Sequence, residues 1–148
     1  MKSVHLAAEE DTDRVLALVA AFHAERGIDS DPEARREAVA PLLGGSQLGA
    51  VWLIGPRRAP VGYIAITFGW SIAAGGMTGR VDEFYIRPAV RGRGMGTEAL
   101  LGLCKAMREA GLITLDLPVA EDETRLQGFA RRCRFAPVPD RLILQHVL

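Results

Sequence analysis

The chain has 148 residues, and its 18 lysine and arginine residues balance its 18 aspartate and glutamate residues, so its formal net charge is zero. The length fits one domain of roughly 100–200 residues, and the hydrophobic residues, 49% of the chain, can supply its core. Neutrality argues against a nucleic-acid binder, and every apolar run is far shorter than the ~18 residues that a membrane span needs. We therefore expect one domain over residues 1–148, in a soluble cytoplasmic protein without nucleic-acid or membrane partners.

The first third of the chain predicts a short strand followed by two helices. Residues 3–7 lean towards apolar side chains, and Asp11 or Thr12 offers an oxygen to cap the helix after them. Apolar residues recur with helical spacing up to Gly27, a residue type that commonly ends a helix. Asp31, which a proline follows, predicts the start of a second, short helix.

The remainder predicts an antiparallel meander and then a parallel crossover. Three β-rich runs with short connections favour the meander: residues 48–54, 61–68 and 80–87. Helical spacing over residues 96–110, followed by a strand at 112–117, predicts the crossover. One more apolar helix follows, and a strand over residues 141–147 is expected to close the chain.

The most informative segment, residues 81–97, predicts a strand, a loop and the start of a helix. In the loop, glycine alternates with arginine and then with methionine: Arg91-Gly92-Arg93-Gly94-Met95-Gly96. Glycines at this spacing let successive main-chain N–H groups point into one concavity, next to the orphan amides of a helix N-terminus. Such a cradle binds phosphate, and the two guanidinium groups can pair with phosphate oxygens.

Two other phosphate-binding patterns fit the loop less well. The Walker spacing, in which Gly and four residues precede Gly-Lys-Ser/Thr, does not occur, which argues against ATP hydrolysis. The dinucleotide pattern Gly-x-Gly-x-x-Gly would need its third glycine at Thr97, and the loop follows a meander instead of a first strand. Asp116 nevertheless stands about twenty residues further on, where a ribose-binding acid is expected, so NAD binding stays an alternative.

The loop also matches Arg/Gln-x-x-Gly-x-Gly/Ala, and the chain resembles the GNAT N-acetyltransferase family over nearly its full length. Both the order of elements and the preceding Glu83-Phe84-Tyr85-Ile86-Arg87-Pro88 are typical of that family. The resemblance implies an α/β (α+β) fold, with a mixed, mostly antiparallel central sheet whose parallel central strands splay apart, flanked by helices. It implies acetyl-CoA as co-substrate. Since no Cys/His grouping has metal-ligand spacing, we expect no metal.

By this resemblance, the main chain binds acetyl-CoA at two places. Phe84, Tyr85 and Ile86 would offer main-chain groups to the pantetheine arm, as an added strand would. The diphosphate would lie on the loop and the helix start, whose residues are Arg91, Gly92, Arg93, Gly94, Met95, Gly96 and Thr97.

The acceptor, an amine of a small molecule or peptide, must lose a proton before it attacks the thioester, and the resemblance makes Glu83 the candidate base. Strand alternation would send Asp82 and Glu83 to opposite faces, and a solvated or salt-bridged Glu83 is the alternative. Phe68 and Trp70, before a long turn over residues 72–79, could line the acceptor pocket. The histidines show no partner pattern, and we assign them no chemistry.

The last predicted helix departs from the family. Many relatives carry a tyrosine there that protonates the leaving thiolate, and this sequence has Ala130 at that position and Glu123 where an asparagine is usual. Two functions stay open: N-acetyltransfer by direct attack in a ternary complex, or a non-catalytic acyl-CoA-binding module. Homodimerisation is an expectation from the family alone.

Overall fold

The computed structural model describes residues 3–148, which form two compact units, one ending at Pro118 and the other covering Val119–Leu148. The first unit contains, in chain order, β1 (Val4–Leu6), α1 (Thr12–Arg26), α2 (Pro32–Val39), β2 (Gly49–Ile54), β3 (Gly62–Ser71), β4 (Gly76–Ile86), α3 (Met95–Glu109) and β5 (Thr114–Asp116). The second unit contains α4 (Thr124–Arg132).

The sheet has five strands in the order β1-β2-β3-β4-β5. The first four strands pair antiparallel; short connections join β2 to β3 and β3 to β4, whereas α1 and α2 lie between β1 and β2. Strand β5 pairs parallel to β4 after the crossover through α3. The predicted α/β fold with a mixed, mostly antiparallel sheet flanked by helices is therefore confirmed. The β3–β4 turn is shorter than expected, since the Ser71–Gly76 pair extends the ladder and leaves only residues 72–75 in the turn.

Helices α1 and α2 cover one face of the sheet. Residues from both helices and three strands form its apolar core: Val15, Leu18, Val19, Val39, Val51, Leu53, Tyr63, Ala65 and Tyr85. As predicted, α1 ends at Gly27, whose φ of 68° is left-handed, and Asp31 caps α2 by accepting a 2.7 Å hydrogen bond from the Ala34 amide. Glu83, the candidate base, lies opposite Ala65 on this same face.

The start of α1 differs from the predicted side-chain cap. Helix α1 begins at Thr12 as expected, but the Asp11 carboxylate does not cap it. The carboxylate is buried and accepts hydrogen bonds from the Ala8 amide, Arg14 and Arg57, each at 2.9 Å. Two guanidinium groups outcompete the helix amides for these oxygens, and the resulting contact ties the start of α1 to the β2–β3 connection.

The predicted strand over residues 141–147 is wrong, because residues 141–148 form no strand and are exposed. Their apolar composition favours an extended strand, but a strand also needs a hydrogen-bonded partner, which these residues lack within residues 3–148. In the second unit, regular structure is limited to α4. Side-chain hydrogen bonds close the N-terminal turn of this helix: the Glu123 carboxylate accepts from the Ala120 amide, and the Gln127 side chain donates to the carbonyls of Ala120 and Glu121. Over the described part of the chain, no helix combines the length and apolarity needed to cross a bilayer.

Candidate functional site

The parallel strands β4 and β5 separate after a short stretch of pairing at one edge of the sheet. Their pairing covers only Thr78 to Arg80 on β4 and Thr114 to Asp116 on β5. Beyond Arg80, β4 continues to Ile86 with β3 on one side and, among residues 3–148, no strand on the other. The side of residues 81–86 that faces away from β3 therefore has no hydrogen-bonded strand among the described residues, as expected for splayed strands, and we call this unpaired edge the opening.

Main-chain groups of β4 face this opening. The Arg87 amide donates a 2.8 Å hydrogen bond to the Val61 carbonyl, on the β3 side. Since N–H groups alternate sides along a strand, the Ile86 and Phe84 amides point to the opposite side, towards the opening. The Ile86 carbonyl also lies on that side, where it accepts a 2.7 Å hydrogen bond from Arg91 Nε.

A β-bulge changes the predicted orientation of the two acids on β4. Ala65 pairs with Glu83 and Ile66 pairs with Val81, which leaves Asp82 as the extra residue. Asp82 and Glu83 consequently line the same cavity. The expectation that strand alternation would send them to opposite faces is wrong, because the bulge interrupts the alternation at this point.

Two side chains hold the Glu83 carboxylate. His23 Nε2 lies 2.7 Å from Oε2, and the Tyr63 hydroxyl donates a 2.7 Å hydrogen bond to Oε1. The Glu83 side chain is 21% exposed. Among the described residues its only partner at ion-pair distance is His23, so neither Arg80 nor Arg87 bridges it.

Burial and negative charge shape the titration of the neighbouring groups. Burial and the nearby Glu83 carboxylate raise the pKa of the Tyr63 phenol, which therefore stays protonated and remains a hydrogen-bond donor. Desolvation and the charge of Glu83 likewise raise the pKa of the Asp82 carboxyl. The two acids give the cavity a negative side.

The cavity beside Glu83 has a volume of about 100 Å³ and lies between the two helices and the sheet. Apolar side chains form most of its wall: Val15, Val19, Ala38, Val39, Leu42, Val51 and Ala65. Polar groups form the remainder: His23, Arg35, Tyr63, Asp82 and Glu83. An apolar wall with a few converging polar groups is typical of a small-molecule site.

The glycine-rich loop has the backbone that its sequence predicts. Gly92 and Gly94 have left-handed φ values of 79° and 83°, and no atom lies within 4 Å of the place a Cβ would take at either. Gly94 is the N-cap of α3, and the first main-chain hydrogen bond of that helix joins the Glu98 amide to the Gly94 carbonyl at 3.0 Å. Within the described chain, no hydrogen bond is donated by the amides of residues 92–97, so they stay available to an anion.

The two arginines of the loop differ. Arg91 donates to Glu25 on α1 at 2.8 Å as well as to Ile86, and its guanidinium stacks 5.7 Å from the centre of the Tyr85 ring. Arg91 therefore fixes the loop to α1 and to the end of β4. Arg93 is exposed and makes no side-chain contact of this kind within residues 3–148.

The remaining predicted site residues lie in three places. Phe84 and Ile86 are half-buried on β4, and Tyr85 is buried in the core beneath α1. Strand alternation from Ala65 puts Phe68 and Trp70 on the sheet face opposite Glu83, and neither lines the cavity. Their role in acceptor binding stays a prediction.

Sequence reasoning missed His23, although one signal was present. His23 follows Val15 and Val19 at intervals of four residues, which places it on the buried stripe of α1 that faces the sheet. A histidine on such a stripe needs polar partners, and here they are Glu83 and Ser30, the latter 2.8 Å from Nδ1. In the second unit, Ala130 and Cys133 are both buried, so α4 has a small apolar side chain at position 130, where the family resemblance led us to look for a tyrosine.

Known proteins resemble this chain in sequence and in fold. The sequence pattern of the family described as "Acetyltransferase (GNAT) family" matches residues 16–135. The fold is similar to that of HFX_CASS3, an integron cassette protein from the mobile metagenome of Cole Harbour Salt Marsh. The two chains have 32% sequence identity and a TM-score of 0.87, and the match covers 99% of this chain and 90% of that chain. No curated protein sequence matches the chain.

Two enzymes of more distant sequence share the fold. A ribosomal-protein-alanine N-acetyltransferase from Brucella melitensis biovar Abortus 2308 has 15% identity and a TM-score of 0.75, with 97% of this chain and 99% of that chain covered. An aminoglycoside acetyltransferase from an uncultured soil metagenomic sample, in complex with sisomicin, has 14% identity and a TM-score of 0.80, with 98% and 95% covered. At these identities the likeness concerns the fold alone.

Proposed function

Because the chain belongs to the acetyltransferase (GNAT) family, we propose that it transfers the acetyl group of acetyl-CoA to a primary amine of a small molecule or peptide, by direct attack in a ternary complex. One observation carries this proposal: the opening beside residues 81–86 lies next to a carboxylate, Glu83, that two side chains hold at the edge of a cavity. An opening for a thioester and a base for an amine are the two requirements of this reaction.

The glycine-rich loop fits the anionic end of acetyl-CoA, which would supply the activated acetyl group. The unpaired amides of residues 92–97 and the N-terminus of α3 offer several N–H donors to phosphate oxygens. The helix dipole alone contributes only about 0.3–1 kcal/mol, so these hydrogen bonds carry most of the binding. Arg93 is exposed and can add a guanidinium, whereas Arg91 keeps the loop fixed to Glu25.

The pantetheine arm fits the unpaired side of β4. The Ile86 and Phe84 amides face the opening, so an extended amide chain can pair with them as an added strand would. A main-chain N–H in this stretch, at Ile86, would also donate to the oxyanion that forms when an amine attacks a thioester.

Glu83 is the proposed base for the acceptor amine. An aliphatic amine with a pKa near 10.4 is uncharged in only about one of a few thousand molecules at pH 7, so the site must remove its proton. Each carboxylate oxygen has two lone pairs, and His23 and Tyr63 occupy one on each oxygen of Glu83. The other lone pairs can accept the proton of the amine, directly or through a water molecule.

The cavity favours a compact, cationic acceptor. Asp82 and Glu83 lie on one side of it and attract an ammonium group, while valine, leucine and alanine side chains receive an apolar neck. A volume of about 100 Å³ restricts the part of the acceptor that enters. The rest of the acceptor must remain outside this cavity.

A non-catalytic acyl-CoA-binding module is the second candidate. The buried Ala130 favours it, because the tyrosine that protonates the leaving thiolate in many relatives is missing. An active enzyme can still release the thiolate, whose free pKa is about 8.5, to a proton from water. The two candidates therefore differ in turnover and agree in acetyl-CoA binding.

A thiol-release assay separates these functions. Acetyl-CoA is incubated with the protein and a panel of primary amines, free CoA thiol is measured, and mass spectrometry detects an added acetyl group on the amine. The enzyme releases thiol only when an amine is present and forms the acetylated product. Thermal stabilisation by CoA without turnover would support the binding module, and stabilisation by NAD but not by CoA would support dinucleotide binding.

A further inference from the structure

We infer that His23 is a positioning residue for Glu83, which it holds as a neutral hydrogen-bond donor at the end of a chain of bonds from Arg35 and Ser30. The inference rests on the proposed role of Glu83 as the base. His23 comes from the last turn of α1 and Glu83 from the middle of β4, so this contact joins the helix layer to the sheet.

Both ring nitrogens of His23 have partners. Nδ1 lies 2.8 Å from Ser30 Oγ, and Nε2 lies 2.7 Å from Glu83 Oε2. The side chain is only 14% exposed, and its ring packs at 6.1 Å from the ring of Phe22. A flip or rotation of the ring would break both hydrogen bonds, so the ring orientation is fixed.

Arg35 favours one direction for these hydrogen bonds. A guanidinium only donates, and Arg35 Nη1 lies 3.3 Å from Ser30 Oγ and also donates to the Ser30 carbonyl. In the inferred arrangement, Ser30 Oγ accepts from Arg35 and gives its own hydrogen to His23 Nδ1. The neutral ring then carries its proton on Nε2 and donates it to Glu83.

The charged and titratable groups around His23 come from several elements. Glu83 and Asp82 lie on β4, Tyr63 lies on β3, and Arg35 lies on α2. Tyr63 donates to the other oxygen of Glu83, so two neutral donors from two elements fix the plane of the carboxylate. Neither donor carries the permanent positive charge that an arginine bridge would bring to the carboxylate.

Positioning of this kind affects catalysis through geometry. A glutamate side chain has three rotatable bonds, and a base is effective only when its oxygen lies within hydrogen-bond reach of the proton it takes. Without His23, only Tyr63 would hold Glu83. Misplacement of a catalytic group by about 1 Å can cost up to about 100-fold in rate.

The test compares His23→Ala with His23→Gln in the full-length protein. Alanine removes the donor, and kcat/KM for the amine should fall about 30-fold, while the KM for acetyl-CoA is unchanged. The glutamine amide nitrogen lies about where Nε2 stands and is an obligate donor, so this variant should return to within about threefold of wild type. Thermal melts check that both variants fold.

Two kinetic outcomes would overturn the inference while leaving the proposed function intact. One is an active His23→Ala variant with wild-type kcat/KM. The other is a His23→Gln variant as impaired as His23→Ala, with a displaced acidic limb of the pH profile, since that result would make His23 a proton carrier. A wild-type protein without amine-dependent turnover would instead refute the proposed function itself.

Nitrogen NMR of the imidazole gives a readout that needs no turnover. We expect the Nε2–H tautomer near neutral pH, with loss of this preference in Ser30→Ala, which removes the hydroxyl that donates to Nδ1. An Nδ1–H tautomer, or a doubly protonated ring throughout the active pH range, would contradict the proposed direction of the hydrogen bonds.

Discussion

Asp11, before α1, and Glu83, on β4, are both carboxylates held by neighbouring side chains, but their partners differ. The Asp11 side chain is completely buried, and its oxygens accept from two guanidinium groups, Arg14 and Arg57, and from the Ala8 amide. Burial alone would raise the pKa of Asp11, but the hydrogen bonds from Arg57 and Ala8 and the positive charges lower it. Asp11 is therefore held in its charged form.

Glu83 has no arginine within ion-pair distance among the described residues, and its two donors are an imidazole and a phenol. It also borders a cavity, whereas Asp11 is enclosed. The comparison shows that the donors around a carboxylate, together with access to it, separate a structural acid from a candidate base. Loss of Glu83 should thus affect turnover, and loss of Asp11 should affect stability.

The largest expected effect is that of Glu83→Gln on turnover. We expect kcat to fall by about 100-fold or more, because an amide cannot take the proton of the amine, while CoA affinity stays the same. Steady-state kinetics and calorimetry measure the two quantities. An active Glu83→Gln variant would eliminate Glu83 as the base and leave the loop as the only functional part of the account.

Asp11→Asn should destabilise the fold by about 2 kcal/mol, since an amide replaces a buried charged acceptor. Thermal or urea unfolding measures the loss, and Asp13→Asn is the matched control because Asp13 is 95% exposed. The lowered pKa of Asp11 means that its contribution is present above the unfolded value near 3.8 and is lost as the pH falls through the folded value. The difference between wild type and Asp11→Asn should therefore shrink below about pH 4; a constant difference would contradict the role of charge.

Gly94→Ala should raise the KM for acetyl-CoA about tenfold, because a left-handed φ costs a non-glycine residue roughly 1–2 kcal/mol and relief of that strain turns the loop amides. Gly75→Ala is the matched control. Gly75 has a φ of 76°, against 83° for Gly94, and both have open space around the added Cβ. Equal effects of the two variants on KM would show that the loop does not bind the co-substrate.

The smallest expected effect is that of Asp82→Asn. Asp82 lines the same cavity as Glu83 but makes no hydrogen bond with it, so it contributes charge and not proton transfer. We expect the KM for a cationic amine to rise about threefold at low salt and less at high salt, with kcat unchanged. A loss of kcat as large as that of Glu83→Gln would make Asp82 the base.

The glycine-rich loop and the surroundings of Glu83 differ in how far the sequence could predict them. The loop at residues 91–97 is a local feature, since the positive φ of Gly92 and Gly94 and the helix start after them depend on neighbouring residues. The surroundings of Glu83 are non-local: His23 is 60 residues away, and the bulge at Asp82 is set by pairing with β3. The buried stripe of α1 could have indicated that His23 needs a polar partner, but it does not identify Glu83 as that partner, and the bulge depends on the pairing with β3.

Two segments near the ends of the chain show the same limit of prediction from local sequence. Asp11 or Thr12 was expected to cap α1, but Arg57, 46 residues from Asp11, binds the Asp11 carboxylate. Residues 141–147 have the composition of a strand and pair with no strand within residues 3–148. In both cases the local residues suit the predicted structure, and a distant contact, present or missing, decides the result.

Calorimetric titration of coenzyme A into the wild-type protein is the decisive measurement, because every further step of the reaction needs the co-substrate. We expect binding of one coenzyme A per chain, with a dissociation constant in the range of about 1 μM–1 mM that is typical of enzyme substrates. No binding at millimolar coenzyme A would contradict it.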